Sequence, residues 1–469
     1  MNLRILYISD LHSRYEELAK IASAMEENRD KNTIVLDGGD NADFMRVETE
    51  GTNGRISSAI LNKIGFTARV FGNNEGFAGI ENGRIISENS ECPVITCNMY
   101  DLEGKKLDFL EDSVIINVDN VRVLIIGVTA AYNVFYNLFG INTEDPHTEI
   151  ARVLSDYDED DYDFLVLLSH LGLNEDKAIA LRMPTIDVII GGHSHTTLEK
   201  PIVENHTIIC QAGAFGESLG ELVLNVNREK RAIQNFSGRL IPAKNYPPHP
   251  QITDLILHYS KIADEKLSRT LYQIGITLDH SLTDENAMGN LLADALIDIL
   301  KTEIAIINSG VMNKGIEKGK ITKKLLQEIC PSPLNPTAID VRGEDLLRTL
   351  EKSLLKDYQL MDGTGAGFRG KWLGNIQVSS NVQVHYNPDD KPLCKIKTVT
   401  INGDQLESQK WYSVGTSDYL QRGTGYKDLA NSKNEKYRPE FLKDVLELYL
   451  KKPLFLEKAL LKRFLPMEL

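Results

Sequence analysis

Two aspartates, one asparagine and four histidines stand directly after short apolar runs in the first half of the chain, and every one is of a type that binds divalent cations. Ser9-Asp10-Leu11-His12 follows the run 5–8; residues two apart in an extended chain face one side, so Asp10 and His12 aim at a common point. Leu36-Asp37-Gly38-Gly39-Asp40 closes the run 33–36, where the glycines permit a tight turn that leaves Asp40 projecting beyond it. Asn73 follows the run 68–71, His170 follows 164–168, and Gly191-Gly192-His193-Ser194-His195 follows 186–190. Singly, an Asp-x-His pair reads as a hydrogen-bonded turn. Jointly, these residues mark the place where an open parallel sheet puts its ligand crevice, and a metal site is the reading that accounts for all of them. They exceed what one catalytic zinc takes and suit two ions sharing a carboxylate. Imidazole, carboxylate and amide donors without thiolate fit Mn, Zn, Fe or Co, with the identity open. Two such ions about 3.5–4 Å apart lower the pKa of a bridging water and clamp a phosphoryl group for in-line attack.

The elements that must position these residues are legible as further runs at 121–128 and 207–212, alternating with helical stretches such as 15–27 and 149–154. This pattern predicts an α/β domain with function on the outgoing loops of its sheet. A proline-rich segment at 243–250 is the expected boundary, giving domains 1–243 and 250–469. Beyond it, Leu255, Tyr259, Ile262 and Leu267 keep helical spacing, and a second helix is expected from a Thr283/Asp284 cap. Strands at 375–386 and 396–401, glycine-rich loops at 363–370 and 423–425, and a helical stretch over 438–464 make the second domain α+β.

At 469 residues the chain has room for two or three cores. A formal net charge of −15 makes a nucleic acid polymer or an anionic membrane a poor partner, whereas a small phosphate substrate is compatible with local cations. The five cysteines are scattered and without paired ligand spacing, which argues for a reducing, cytoplasmic setting. The run after Met1 is too short for a signal segment, and no apolar stretch reaches the ~18 residues of a membrane helix.

The motif order SDLH, GGD, GNN, SHLG, GGHSH across 9–195 resembles the calcineurin-like metallophosphoesterases. Gly289-Asn290-Leu291-Leu292-Ala293-Asp294-Ala295, Ile307-Asn308-Ser309-Gly310 and Thr416-Ser417-Asp418-Tyr419-Leu420 resemble the C-terminal domain of 5'-nucleotidases. Together they cover nearly the whole chain with the two-domain 5'-nucleotidase and UDP-sugar hydrolase family. The resemblance implies an α/β metallophosphoesterase sandwich followed by an α+β C-terminal domain. It implies one divalent ion held by Asp10, His12, Asp40 and His195, and another held by Asp40, Asn73, His170 and His193, with Asp40 bridging. The implied reaction is hydrolysis of a nucleotide or nucleotide-like phosphate. The alternatives are a 2',3'-cyclic-nucleotide phosphodiesterase and a non-hydrolysing metal-containing sensor.

The same resemblance puts Asp40 and Asn74 in catalytic positions, and it exposes departures. Asn74 stands where a histidine is usual, and Phe77 where that histidine's acidic partner is usual. In the second domain Asn308 matches a substrate-binding asparagine, and Tyr419 one of two rings that sandwich a base. An expected arginine falls at Asn313, beside Lys314; an expected acidic residue is Thr424; and 330–336 lacks the second ring, which Phe368 or Trp372 would have to lend.

Overall fold

The computed structural model describes residues 1–158, 160–365 and 367–467. The chain divides into two compact units, Met1–Glu265 and Lys266–Leu469.

In the first unit each apolar run forms a strand, and the strands build two six-stranded sheets. The first sheet runs Ala232–Pro242, Ser218–Asn227, Asn2–Ile8, Thr33–Asp37, Ala68–Val70, Val94–Ile95, the last four parallel. The second runs Ile202–Glu204, Thr207–Gln211, Val188–Gly191, Phe164–His170, Val121–Thr129, Ser113–Val118, and its middle four are parallel. Alternation explains why they stack. Leu3, Ile5, Tyr7 and Leu36 meet Val123, Ile125, Val166 and Ile190 between the sheets. Leu6, Ile8 and Val35 point the other way, onto the helices Tyr15–Asn28 and Arg55–Ile64. Leu124, Leu165, Leu167 and Ile189 likewise cover Pro146–Leu154 and Leu173–Arg182. With both faces buried, the inner strands read as continuous apolar runs. The expected α/β sandwich is what forms.

The proline-rich segment 243–250 lies inside this unit, because the following helix, Pro250–Leu267, lays Ile252, Leu255, Ile256 and Tyr259 on the outer helical layer. The second unit is α+β around one core, with the almost wholly buried helix Ala287–Leu300 at its centre. That helix starts later than expected: the Asn286 side chain accepts from the Gly289 N–H at 2.9 Å, while Thr283 and Asp284 bond to each other and to Ser281 in the preceding turn. Two further expectations are corrected. The stretch 375–386 splits into Ile376–Val378 and Val382–Tyr386, which join different sheets. The stretch 438–464 is two helices, Leu442–Tyr449 and Pro453–Ala459, followed by the strand Phe464–Pro466. Pro453 lacks an N–H and is tolerated only in a helix's first turn, and Phe464 is taken by pairing with Val384. No helix among the described residues is long and apolar enough to cross a membrane.

Candidate metal centre

Every ligand predicted from the sequence sits at the C-terminal end of a parallel strand or in the loop leaving it. Asp10 and His12 leave Asn2–Ile8, Asp40 leaves Thr33–Asp37, Asn73 follows Ala68–Val70, His170 ends its strand, and His193 and His195 leave Val188–Gly191. Five of these residues, Asp10, His12, Asp40, His193 and His195, have φ between 47° and 73°. Left-handed backbone costs a non-glycine residue about 1–3 kcal/mol and persists only where neighbours enforce it. Backbone bonds enforce it here: Asp10 N–H to Gly39 O, His12 N–H to Asp40 O and Ser13 N–H to Asn41 O, each 2.9 Å, lace the first loop to the second.

The side chains converge. His12 Nε2 and His195 Nε2 lie 3.0 Å apart, and His195 Nε2 is 3.6 Å from Asp10 Oδ1. His170 Nε2 lies 3.1 Å from Asn73 Oδ1 and 3.2 Å from Asp40 Oδ1, while the other Asp40 oxygen is 3.9 Å from His12 Nε2. Asp40 therefore faces both histidine groups, as a bridging ligand must. Grouped by distance alone, Asp10, His12 and His195 form one cluster and Asp10, Asp40 and His170 another, so the Asp10 carboxylate also borders both. The backbone N–H of His193 reaches both Asp10 oxygens at 3.0 Å.

The electrostatics suit cations. Burial penalises Asp40, yet the His170 and His12 imidazoles outweigh burial and hold it below the usual carboxylate range. Burial also lowers His170, but Asp40 overrides this and lifts it to about 10. Burial and repulsion from His170 push His193 down to about 4, leaving it neutral as a ligand should be. Burial, with repulsion from Asp40, raises Asp10. His170 Nδ1 donates to Gly38 O at 2.7 Å, which turns Nε2 toward Asp40 and Asn73; without metal that nitrogen carries a proton held by Asp40, which a bound cation would have to displace. Two imidazole nitrogens in van der Waals contact, with carboxylate and amide oxygens around them and no thiolate, fit hard-to-borderline divalent ions.

Sequence reasoning missed the groups that hold this arrangement from behind. The fully buried Glu75 accepts from Ala42 N–H at 2.8 Å, Gly72 N–H at 3.1 Å and Asp40 N–H at 3.2 Å, tying the Asp40 loop to the Asn73 loop. The only signal for it was an acid two residues after Asn73. Beneath lies the buried Arg69–Asp37 pair at 3.7 Å. Gly72 completes the joint: a Cβ there would meet Asp40 N and Oδ1 at 2.2 Å. Gly72→Ala should therefore lower the melting temperature by roughly 2–12 °C, the effect of about 1–3 kcal/mol of overpacking, and weaken metal uptake. Thermal melts with and without Mn²⁺ check this; an unchanged metal-induced shift would show that the joint tolerates the methyl group.

Asn74 is half-buried, its backbone N–H donating to Asp40 Oδ1 at 2.8 Å and its side-chain amide facing His12 Nδ1 at 2.7 Å. Phe77 packs within an aromatic group of Tyr132, Phe135, Tyr136 and Phe139. In the second unit each predicted substrate residue has a partner within its own unit. Asn308 is fully buried, donating to Leu373 O at 2.7 Å. Asn313 and Lys314 are exposed and engaged with Glu328. Tyr419 is 1% exposed, stacked on Phe368 with centroids 4.5 Å apart and planes 21° off parallel. Phe368, rather than Trp372, is thus the ring beside Tyr419.

Known proteins resemble the chain over both of its units. Residues 3–197 match the calcineurin-like phosphoesterases, and residues 263–430 match the 5'-nucleotidase C-terminal domain. A Bacillus subtilis (strain 168) protein described as the uncharacterized metallophosphoesterase YunD is 30% identical, over 95% of this chain and 98% of its own length. A Bos taurus 5'-nucleotidase is 24% identical over 90% of this chain and 83% of its own. The structure of the Haemophilus influenzae NAD nucleotidase shares the fold with a TM-score of 0.69 at 16% identity, covering 100% of this chain and 98% of that one.

Proposed function

Because the chain belongs to the family in which a calcineurin-like phosphoesterase domain precedes a 5'-nucleotidase C-terminal domain, and so is a phosphoric ester hydrolase, we propose that it hydrolyses a nucleotide or nucleotide-like phosphate at a pair of divalent ions. The observation that carries the reading is Asp40, whose carboxylate lies between the His170 and Asn73 group and the His12 and His195 group. Asp10, His12, Asp40 and His195 would hold one ion, and Asp40, Asn73, His170 and His193 the other. Such ions supply Lewis-acid polarisation of the phosphoryl oxygens and activation of the attacking water. The chain's own residues do the rest. Asp40 keeps its charge at neutral pH because two imidazoles face it. His170 is oriented by Gly38 O, and Asp10 by the His193 N–H. The unpaired cysteines support a cytoplasmic setting.

The test is reconstitution of metal-depleted protein with Mn²⁺, Zn²⁺, Co²⁺ or Fe²⁺, assayed on mononucleotides, dinucleotides, nucleotide sugars, cyclic nucleotides and sugar phosphates. About two equivalents and metal-dependent turnover are expected. Less than one equivalent bound under every metal would remove the reading.

Base recognition is a second element of the proposal. A base between two rings needs planes ~7–8 Å apart, twice the carbon contact distance, so the stacked Phe368 must swing away before Tyr419 can take a base on that face. Stacking is worth ~1–3 kcal/mol per base, so Tyr419→Ala should lower kcat/KM for base-containing substrates by roughly 5- to 150-fold while sparing base-free ones. Equal, unchanged constants for both classes would assign Tyr419 to the core.

A further inference from the structure

We propose that Asn74 and Tyr132 are positioning residues for the metal pair, gripping the outward ring nitrogens of His12 and His193, and that Phe77 is present to seat Tyr132. The inference rests on the two-ion reading above and goes beyond it by giving the two departures from the family motif one physical cause.

An imidazole offers a metal one nitrogen, and the partner of the other nitrogen fixes which one and in what orientation. His12 Nε2 faces His195 Nε2 and the Asp40 carboxylate, which leaves Nδ1 2.7 Å from the Asn74 amide, placed with Nδ2 toward the ring. For Nε2 to present a lone pair, Nδ1 must carry the proton, so the group at position 74 must accept. A carboxamide does so when its Oδ1 is turned to the ring, a half-turn that exchanges oxygen and nitrogen in nearly the same outline. The backbone N–H of the same residue donates to Asp40 Oδ1 at 2.8 Å, so Asn74 sets two ligands at once.

His193 is handled in the same way from the opposite loop. Its Nε2 lies 2.9 Å from the Tyr132 hydroxyl, which leaves Nδ1 as the nitrogen for a metal. Tyr132 is itself set edge-on against Phe77 at 5.9 Å and Tyr136 at 6.2 Å, and Phe77 leans on Tyr136 at 5.2 Å. A carboxylate at position 77 would be pressed into this aromatic group without a cationic partner. Phe77 also ends the short helix Asn73–Phe77 that opens on the ligand Asn73, so the contact joins the Asn73 loop to the His193 support. Histidine and acid are replaced together because the pair now supports ligands.

The test reads metal binding rather than turnover. Full-length protein stripped of metal is titrated with Co²⁺ by calorimetry and visible absorption. Tyr132→Phe should weaken one of the two binding constants by about 10–100-fold and leave the other within about twofold. Phe77→Ala should weaken the same one. Asn74→Leu should weaken the other constant, and Asn74→Asp, an obligate acceptor, should restore it together with the wild-type absorption bands, which a packing role would not do. Melting curves identify any variant that fails to fold; the Asn74→Asp against Asn74→Leu contrast then decides. Folded variants that all keep both constants within about twofold of wild type overturn the inference alone. Wild-type protein that takes up no metal overturns the parent reading and this one with it.

Discussion

Asp40→Asn should remove both metal ions at once and reduce hydrolysis by about 10³-fold or more, because paired ions contribute several kcal/mol to the transition state and each 1.36 kcal/mol is tenfold in rate. The substitution keeps shape and volume, so its effect isolates charge. Asp40 is 2% exposed, stays ionised because His170 and His12 face it, and accepts from the Asn74 backbone. An amide cannot bridge two cations with two anionic oxygens. It also strips His170 of the partner that lifts its pKa to about 10, so the metal-free variant should lose stability as well, by about 3–5 kcal/mol, as when one member of a buried ion pair is removed. His12→Ala, by contrast, should mainly empty one site. Elemental analysis and melting curves on both variants check the pair; a two-ion complement retained by Asp40→Asn would show that Asp10, which borders both clusters, is the bridge instead.

What was legible in the sequence follows from which forces act locally. Strands buried on both faces write themselves as apolar runs, and a ligand at a strand's end is fixed by that strand, so Asp10, Asp40, His170 and His193 could be placed from the order of runs alone. Glu75 and Tyr132 could not. Each acts across loops distant in sequence, Glu75 on Asp40 and Tyr132 on His193, and nothing in a loop's composition states which loop it will meet. The second unit was read less well because its boundaries depend on single competing interactions. The side chain of Asn286 captures the Gly289 N–H ahead of Thr283 and Asp284, and Pro453 divides what periodicity alone reads as one long helix. The burial of Asn308 and the stacking of Phe368 on Tyr419 are likewise products of packing, which residue type and spacing leave open.

Leaving-group acidity should govern the rate. Protonation of a departing oxygen by a positioned acid contributes ~10²–10⁴-fold, and the resemblance puts Asn74 and Phe77 where a histidine that stabilises the transition state or protonates the departing oxygen, and its acidic partner, are usual. An amide has no proton to release, and this one is committed to His12 Nδ1 and, through its backbone, to Asp40. Phe77, in its aromatic group, offers nothing to recharge an acid. Esters whose leaving oxygen is stable as an anion need no such help. Aryl phosphates, pyrophosphates and activated diesters should therefore be cleaved at a rate close to what paired metals alone allow, while plain alkyl monoesters fall behind by the ~10²–10⁴-fold that the missing acid would have supplied. The 5'-oxygen of a mononucleotide is such an alkoxide. The pyrophosphate link of a dinucleotide or a nucleotide sugar is not, and a 2',3'-cyclic nucleotide, though it too expels a ribose alkoxide, is helped by release of ring strain. A series of phosphate esters graded by leaving-group pKa, assayed for kcat/KM with one metal throughout, should give a steep negative slope. A flat slope, with alkyl monoesters cleaved as fast as aryl ones in the chemical step, would show that another residue protonates the leaving oxygen. Asn74→His alone should flatten the slope little, because an imidazole without an acid at position 77 has no partner to hold and recharge it; Asn74→His with Phe77→Asp should flatten it further, at the expense of the contact that seats Tyr132.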